Sequence, residues 1–203
     1  MEPATRLRSA SDPISLDDRA RDNLQFIRRT MERGPAFTAV PGWGGVAMGV
    51  SALVATGLAA GRPTVEGWLL VWLAEAALAV GIGSWAMSRK ARRAGLPLLS
   101  GTGRKFLLGF LPPAAAGGVL TGAVFQSGDL ALLPGVWLLL YGVAVVAAGT
   151  FSVRAVPLMG LCFMATGAVA LYLGPGWSDP LMGAGFGGLH VLFGFYIARR
   201  HGG

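Results

Sequence analysis

The chain is poor in the residues on which enzymes and metal proteins depend. Among 203 residues there is one cysteine and there are two histidines and ten carboxylates. The lone thiol, Cys162, admits no intramolecular disulfide. Of the histidines, His190 falls in an apolar stretch and His201 in the tail, so bis-His haem ligation across two helices is not available. No HExxH, CxxC or Ser/His/Asp arrangement occurs. Met159, Cys162, Met164 and His190 would be soft ligands for copper, but methionine in an apolar stretch is ordinarily packing. No catalytic role, cofactor or metal is expected. The scarcity of acids leaves a net charge of +7. The basic residues sit at the ends of apolar stretches, where they meet lipid headgroups, so nucleic acid is not expected as a partner.

Hydrophobicity is abundant: 53% of the residues are apolar. Six stretches, 43–60, 67–87, 106–125, 130–151, 155–173 and 181–198, each run for about 20 residues, enough to cross a hydrocarbon core of roughly 30 Å. The expected fold class is therefore an all-α membrane protein, a six-transmembrane-helix bundle spanning 43–203. It is preceded by an N-terminal arm, 1–42. Threading the stretches through a bilayer places sixteen of the seventeen Lys and Arg residues on one side, with Arg62 alone on the other. By the positive-inside rule both termini are cytoplasmic. The first stretch begins far from the start, behind a charged arm, so it is expected to be a retained span rather than a cleaved signal.

Within the arm, Ser15 with Asp17 and Asp18 makes a helix start. Over 15–33 the residues Leu16, Ala20, Leu24, Ile27 and Met31 share an arc of about 80° at 100° per residue. So narrow a stripe, with mixed charge around it, fits docking against protein better than lying in headgroups. The expected docking face is Leu16, Leu24, Ile27 and Met31. Glycine is frequent, 32 residues, with small-xxx-small pairs at Gly45/Gly49, Gly57/Gly61, Gly118/Gly122 and Gly183/Gly187. These suit tight packing in lipid, or self-association. Gly183–Gly188 matches GxGxxG, but a dinucleotide site needs a strand before it and a soluble βαβ unit. Pro112-Pro113 is expected to kink the third span or break its first turns.

Ionisable residues inside spans are costly and point to function. Glu75 and His190 both lie about 12–13 Å from the same end of their stretches at 1.5 Å per residue. Tyr141 and Thr166 fall near mid-span. Glu75, His190, Tyr141 and Thr166 are thus the expected intramembrane polar cluster, with Glu75 and His190 within about 6 Å, close enough to influence each other's protonation.

Two stretches, Asn23-Leu-Gln-Phe-Ile-Arg-Arg-Thr-Met-Glu32 continuing to Phe37-Thr-Ala-Val-Pro-Gly-Trp-Gly-Gly45, and Phe151-Ser-Val-Arg-Ala-Val-Pro-Leu-Met-Gly-Leu-Cys162, resemble a group of uncharacterised bacterial multi-pass inner-membrane proteins. The resemblance covers most of the chain. It implies location in a bacterial inner membrane and transfers no site residues. Two functional expectations stand. One is a non-catalytic accessory or sensor protein that docks a protein partner through its N-terminal helix. The other is a small transporter or channel using Glu75 and His190.

Overall fold

Among the described residues, six helices are long and apolar enough to cross a membrane. The computed structural model describes residues 21–25, 37–95, 98–99 and 101–202, of which 87% are helical and none is in a strand. The chain divides into two units, Met1–Pro35 and Ala36–Gly203. In the first, only 21–25 are described. They are helical and exposed, and Leu24 is 66% accessible. Leu16, Ile27 and Met31, the rest of the expected docking face, lie outside the described residues.

In the second unit α1 is Gly42–Ala60, α2 Val65–Arg93, α3 Gly101–Ser127, α4 Leu133–Gly149 and α5 Ala155–Leu173. The sixth span is built from α6 (Ser178–Met182), a π-helical segment (Gly183–Leu189) and α7 (His190–His201). Local chemistry accounts for the ends. Thr64 caps α2 by accepting from the Gly67 amide at 3.1 Å, and Glu66 adds negative charge to the first turn. Gly174, at φ 80°, takes the backbone out of α5.

Several boundaries differ from those expected. The basic stretch between the second and third spans is mostly helix, because α2 runs on to Arg93 and α3 begins at Gly101. Lys and Arg are good helix formers, and Lys90, Arg92 and Arg93 complement the negative end of the α2 dipole. Nor do Pro112 and Pro113 break the third span, since both lie inside α3. A proline ring crowds the carbonyl four residues earlier, which for Pro113 is that of Gly109. Gly109 is also where α3 comes closest to α4: a Cβ there would meet the Ala147 carbonyl at 2.9 Å.

Glycine determines which helices meet. In the α4–α5 pair, a Cβ on Gly142 would lie 2.7 Å from the Gly160 oxygen, and one on Gly160 would lie 2.7 Å from the Gly142 oxygen. Gly135 and Gly167 repeat this reciprocal contact, and Gly149 abuts Pro157. A second seam joins α1 to the sixth span through Gly42 against Ala198, Gly45 against Gly194 and Gly49 against the Gly187 carbonyl. Gly57 and the Gly118/Gly122 pair, by contrast, face open space. Small-xxx-small spacing alone therefore did not distinguish packed faces from free ones.

The ends of the bundle are tied by polar contacts. Phe37, buried and with its ring tilted against that of Phe106 at 4.9 Å between centroids, donates its amide to Phe151 O, and Ser152 Oγ donates back to Phe37 O at 2.7 Å. Lys90 Nζ donates to the carbonyls of Val40, His201 and Gly202 at 2.9, 2.9 and 2.6 Å. All three ammonium donors are thereby used, and the entry to α1 is joined to the end of the chain. The outer surface is apolar: Leu70, Val80, Val119 and Leu192 are each more than 60% exposed. So large an apolar exterior suits lipid and not water.

Candidate functional site

Glu75 and His190 are the buried charged or titratable side chains among the described residues, 8% and 5% exposed. Both line one cavity of about 330 Å³. Helix packing creates it: α2 rests on α1 and α3 on α4, while α2 and α3 are not a closely packed pair. The rim carries Leu73, Ala76 and Val80 of α2 and Ala114 and Gly118 of α3, all exposed. Trp72, Glu75, Met182 and His190 are buried beneath them.

Each buried polar group has its own partner. Ser51 Oγ lies 2.8 Å from Glu75 Oε1 and 2.9 Å from Met48 O, one turn back on α1. One hydroxyl proton serves one of these acceptors in full. Facing a carboxylate, the Ser51 hydroxyl donates to Glu75. Facing a carboxylic acid, it can accept the acid proton and turn its own toward Met48. Among the described residues no group bonds Oε2 of Glu75.

Tyr141 and His190 form a second pair, at 2.7 Å from the phenol oxygen to Nε2. His190 Nδ1 donates to Phe186 O at 2.9 Å, within the π-helical segment. That bond fixes the tautomer: Nδ1 carries the proton, Nε2 accepts, and the Tyr141 hydroxyl donates. The backbone N–H of His190 is directed at Gly187 O, leaving the Phe186 carbonyl to the imidazole. Phe163 and Phe186 complete an aromatic sleeve, with ring centroids 5.2 and 6.4 Å from that of His190.

Of the expected cluster, Glu75, Tyr141 and His190 thus face one cavity. Thr166 does not line it; its hydroxyl donates to Cys162 O on its own helix at 2.9 Å. Depth put Thr166 level with the others, but its face of α5 is a different one. No hydrogen bond or ion pair joins Glu75 to His190; each is bonded to a different group. Sequence reasoning missed Ser51 and the tryptophans. Trp137 Nε1 donates to Thr121 Oγ1 at 2.7 Å, Trp68 Nε1 donates to Asp179 Oδ1 at 2.6 Å, and the two indoles stack at 5.7 Å. Trp72, which lines the cavity, has its Nε1 buried without a partner. A buried unsatisfied donor costs about 1–3 kcal/mol. The available signals were Trp72 one turn after Trp68 and a lone serine in an apolar helix.

No family model matches the chain, and no curated protein or solved structure shows significant similarity to it.

Separate pairing has a measurable consequence. In reversible unfolding in detergent, Tyr141→Phe and His190→Gln should be coupled by about 1 kcal/mol, since either change removes the same bond. Glu75→Gln and His190→Gln should instead add to within about 0.5 kcal/mol. Strong coupling in the second cycle would mean that the two residues interact directly after all.

Proposed function

We propose that the chain is a non-catalytic, multi-pass protein of a bacterial inner membrane that carries a small apolar cation through the Glu75 cavity in exchange for a proton. One observation carries this reading: the buried Glu75 carboxyl and the hydrogen-bonded Tyr141–His190 pair line one cavity whose rim is exposed at the apolar surface. No lysine or arginine lines that cavity, so Glu75 has no cationic partner there and, once deprotonated, can pair with a bound cation. Trp72, Trp137, Tyr141 and Phe186 supply ring faces, which attract organic cations. A cation entering between α2 and α3 would meet Glu75 from the cavity side. The acid proton leaves as the cation binds, and the Ser51 hydroxyl turns from Met48 O to Glu75 Oε1. Charge within the cavity is thereby conserved, which is the physical basis of exchange.

The alternative, an accessory or sensor protein docked through its N-terminal helix, rests on the sequence pattern alone. Only 21–25 of that helix are described, and the other residues of its expected docking face lie outside them.

Orientation follows from the division of basic residues, with both termini cytoplasmic. On a Cys162→Ser background, Ser178→Cys should react with an impermeant maleimide added outside spheroplasts. Failure to label, with labelling of inverted vesicles instead, would reverse the orientation.

Exchange is tested in acid-loaded proteoliposomes with ethidium outside. Uptake should exceed that of protein-free liposomes and stop when the pH gradient is collapsed. Glu75→Gln should abolish it, since an amide cannot give up the proton. No uptake by the wild type, or full uptake by Glu75→Gln, would contradict proton-coupled transport.

A further inference from the structure

A second cavity, of about 250 Å³, lies where the start of α1 meets the basic end of α2. Gly44 permits the approach, since a Cβ there would lie 2.6 Å from Ala86 Cβ. Trp43 and Trp85 flank the opening, 55% and 61% exposed, and Arg89, Lys90 and Arg93 line it with no carboxylate among them. These cations are not equivalent. Lys90 has spent its three donors on backbone carbonyls and contributes charge alone. The Arg89 guanidinium lies over the Trp85 ring at 5.3 Å and makes no ion pair with any described residue. Arg93 likewise has no hydrogen bond or ion pair with the described residues. One helical turn apart, Arg89 and Arg93 repel each other. Two planar donor forks with no acceptor therefore converge on a cavity at the boundary between an apolar span and water.

We propose that this cavity binds the phosphodiester of an anionic phospholipid. Arginine forks match phosphate oxygens bidentately, and the two tryptophans sit where indole rings bracket headgroups. Ile82 and Ala47 line the wall toward the middle of the span, where acyl chains begin. With three positive charges and no acid, the cavity repels the choline or ammonium of a zwitterionic lipid. The site is independent of the Glu75 cavity and uses none of its residues.

Native mass spectrometry of the delipidated protein, titrated with phosphatidylglycerol or phosphatidylcholine, tests the assignment. The wild type should retain phosphatidylglycerol in preference to phosphatidylcholine. The double variant Arg89→Gln/Arg93→Gln should bind it roughly tenfold or more weakly. Arg92→Gln/Arg104→Gln removes the same charge at exposed positions that do not line the cavity, and should bind as the wild type does. Gel filtration checks that each variant is folded, and Arg93→Gln alone, with an intermediate loss, serves if the double variant is not. Equal weakening in both double variants would reduce the effect to general surface charge and overturn the site. A thermal stabilisation by inorganic phosphate equal to that by phosphatidylglycerol would overturn the lipid assignment in favour of a soluble phosphate.

Discussion

Backbone-to-backbone contact at glycine is the constraint on which the rest of the arrangement depends. Apolar side chains gain little by leaving lipid for one another, so close approach and dispersion must hold the helices together. Gly142 and Gly160 each occupy the place where the other's Cβ would stand. Gly45 and Gly49 do the same for the sixth span at Gly194 and Gly187. A methyl group at Gly142, Gly160, Gly49 or Gly194 would come within 3 Å of backbone atoms of the facing helix and force the backbones apart, whereas at Gly187 it would meet the end of the Leu53 side chain.

Those seams use α1, α4, α5 and the sixth span, leaving α2 and α3 each packed on a single main neighbour. The space between them becomes the cavity, and Trp72, Glu75 and Thr121 project into it from the two least constrained helices. Polar groups on the seam helices, Ser51, Tyr141 and His190, provide fixed partners. The combination is a rigid bonding frame on one side and a separable pair of helices on the other. Lys90 limits the freedom of α2 by fastening its basic end to Val40, His201 and Gly202.

The sequence made some of this legible and concealed the rest. Six spans could be read because twenty apolar residues admit few interpretations. Their ends could not, since Lys90, Arg92 and Arg93 stop the hydropathy but prolong the helix. Glu75 and His190 stood out because charge in an apolar run is rare, and both line one cavity. Depth says nothing about azimuth, which is why Thr166 was grouped with them and why the Ser51–Glu75 hydrogen bond was not foreseen. The glycine pairs at spacing four included Gly45/Gly49, which packs, and Gly118/Gly122, which does not. The tightest seam pairs glycines seven apart on α4 with glycines seven apart on α5, and nothing in either helix alone marks them as partners. A single sequence also cannot reveal that Trp72 lacks an acceptor while Trp68 and Trp137 have one.

The most direct test of the account asks whether the cavity is a wetted binding site rather than a gap filled by lipid. Gly118 lines it with no atom within 4 Å of an added Cβ, while the adjacent Val119 is 74% exposed and does not line it. On a Cys162→Ser background, Gly118→Cys and Val119→Cys can be compared for reaction with N-ethylmaleimide in native membranes. Thiolate forms in water and not in hydrocarbon, so Gly118→Cys should react, Val119→Cys should not, and ethidium should protect the former. Equal reactivity at the two positions, with no protection by ethidium, would contradict the account.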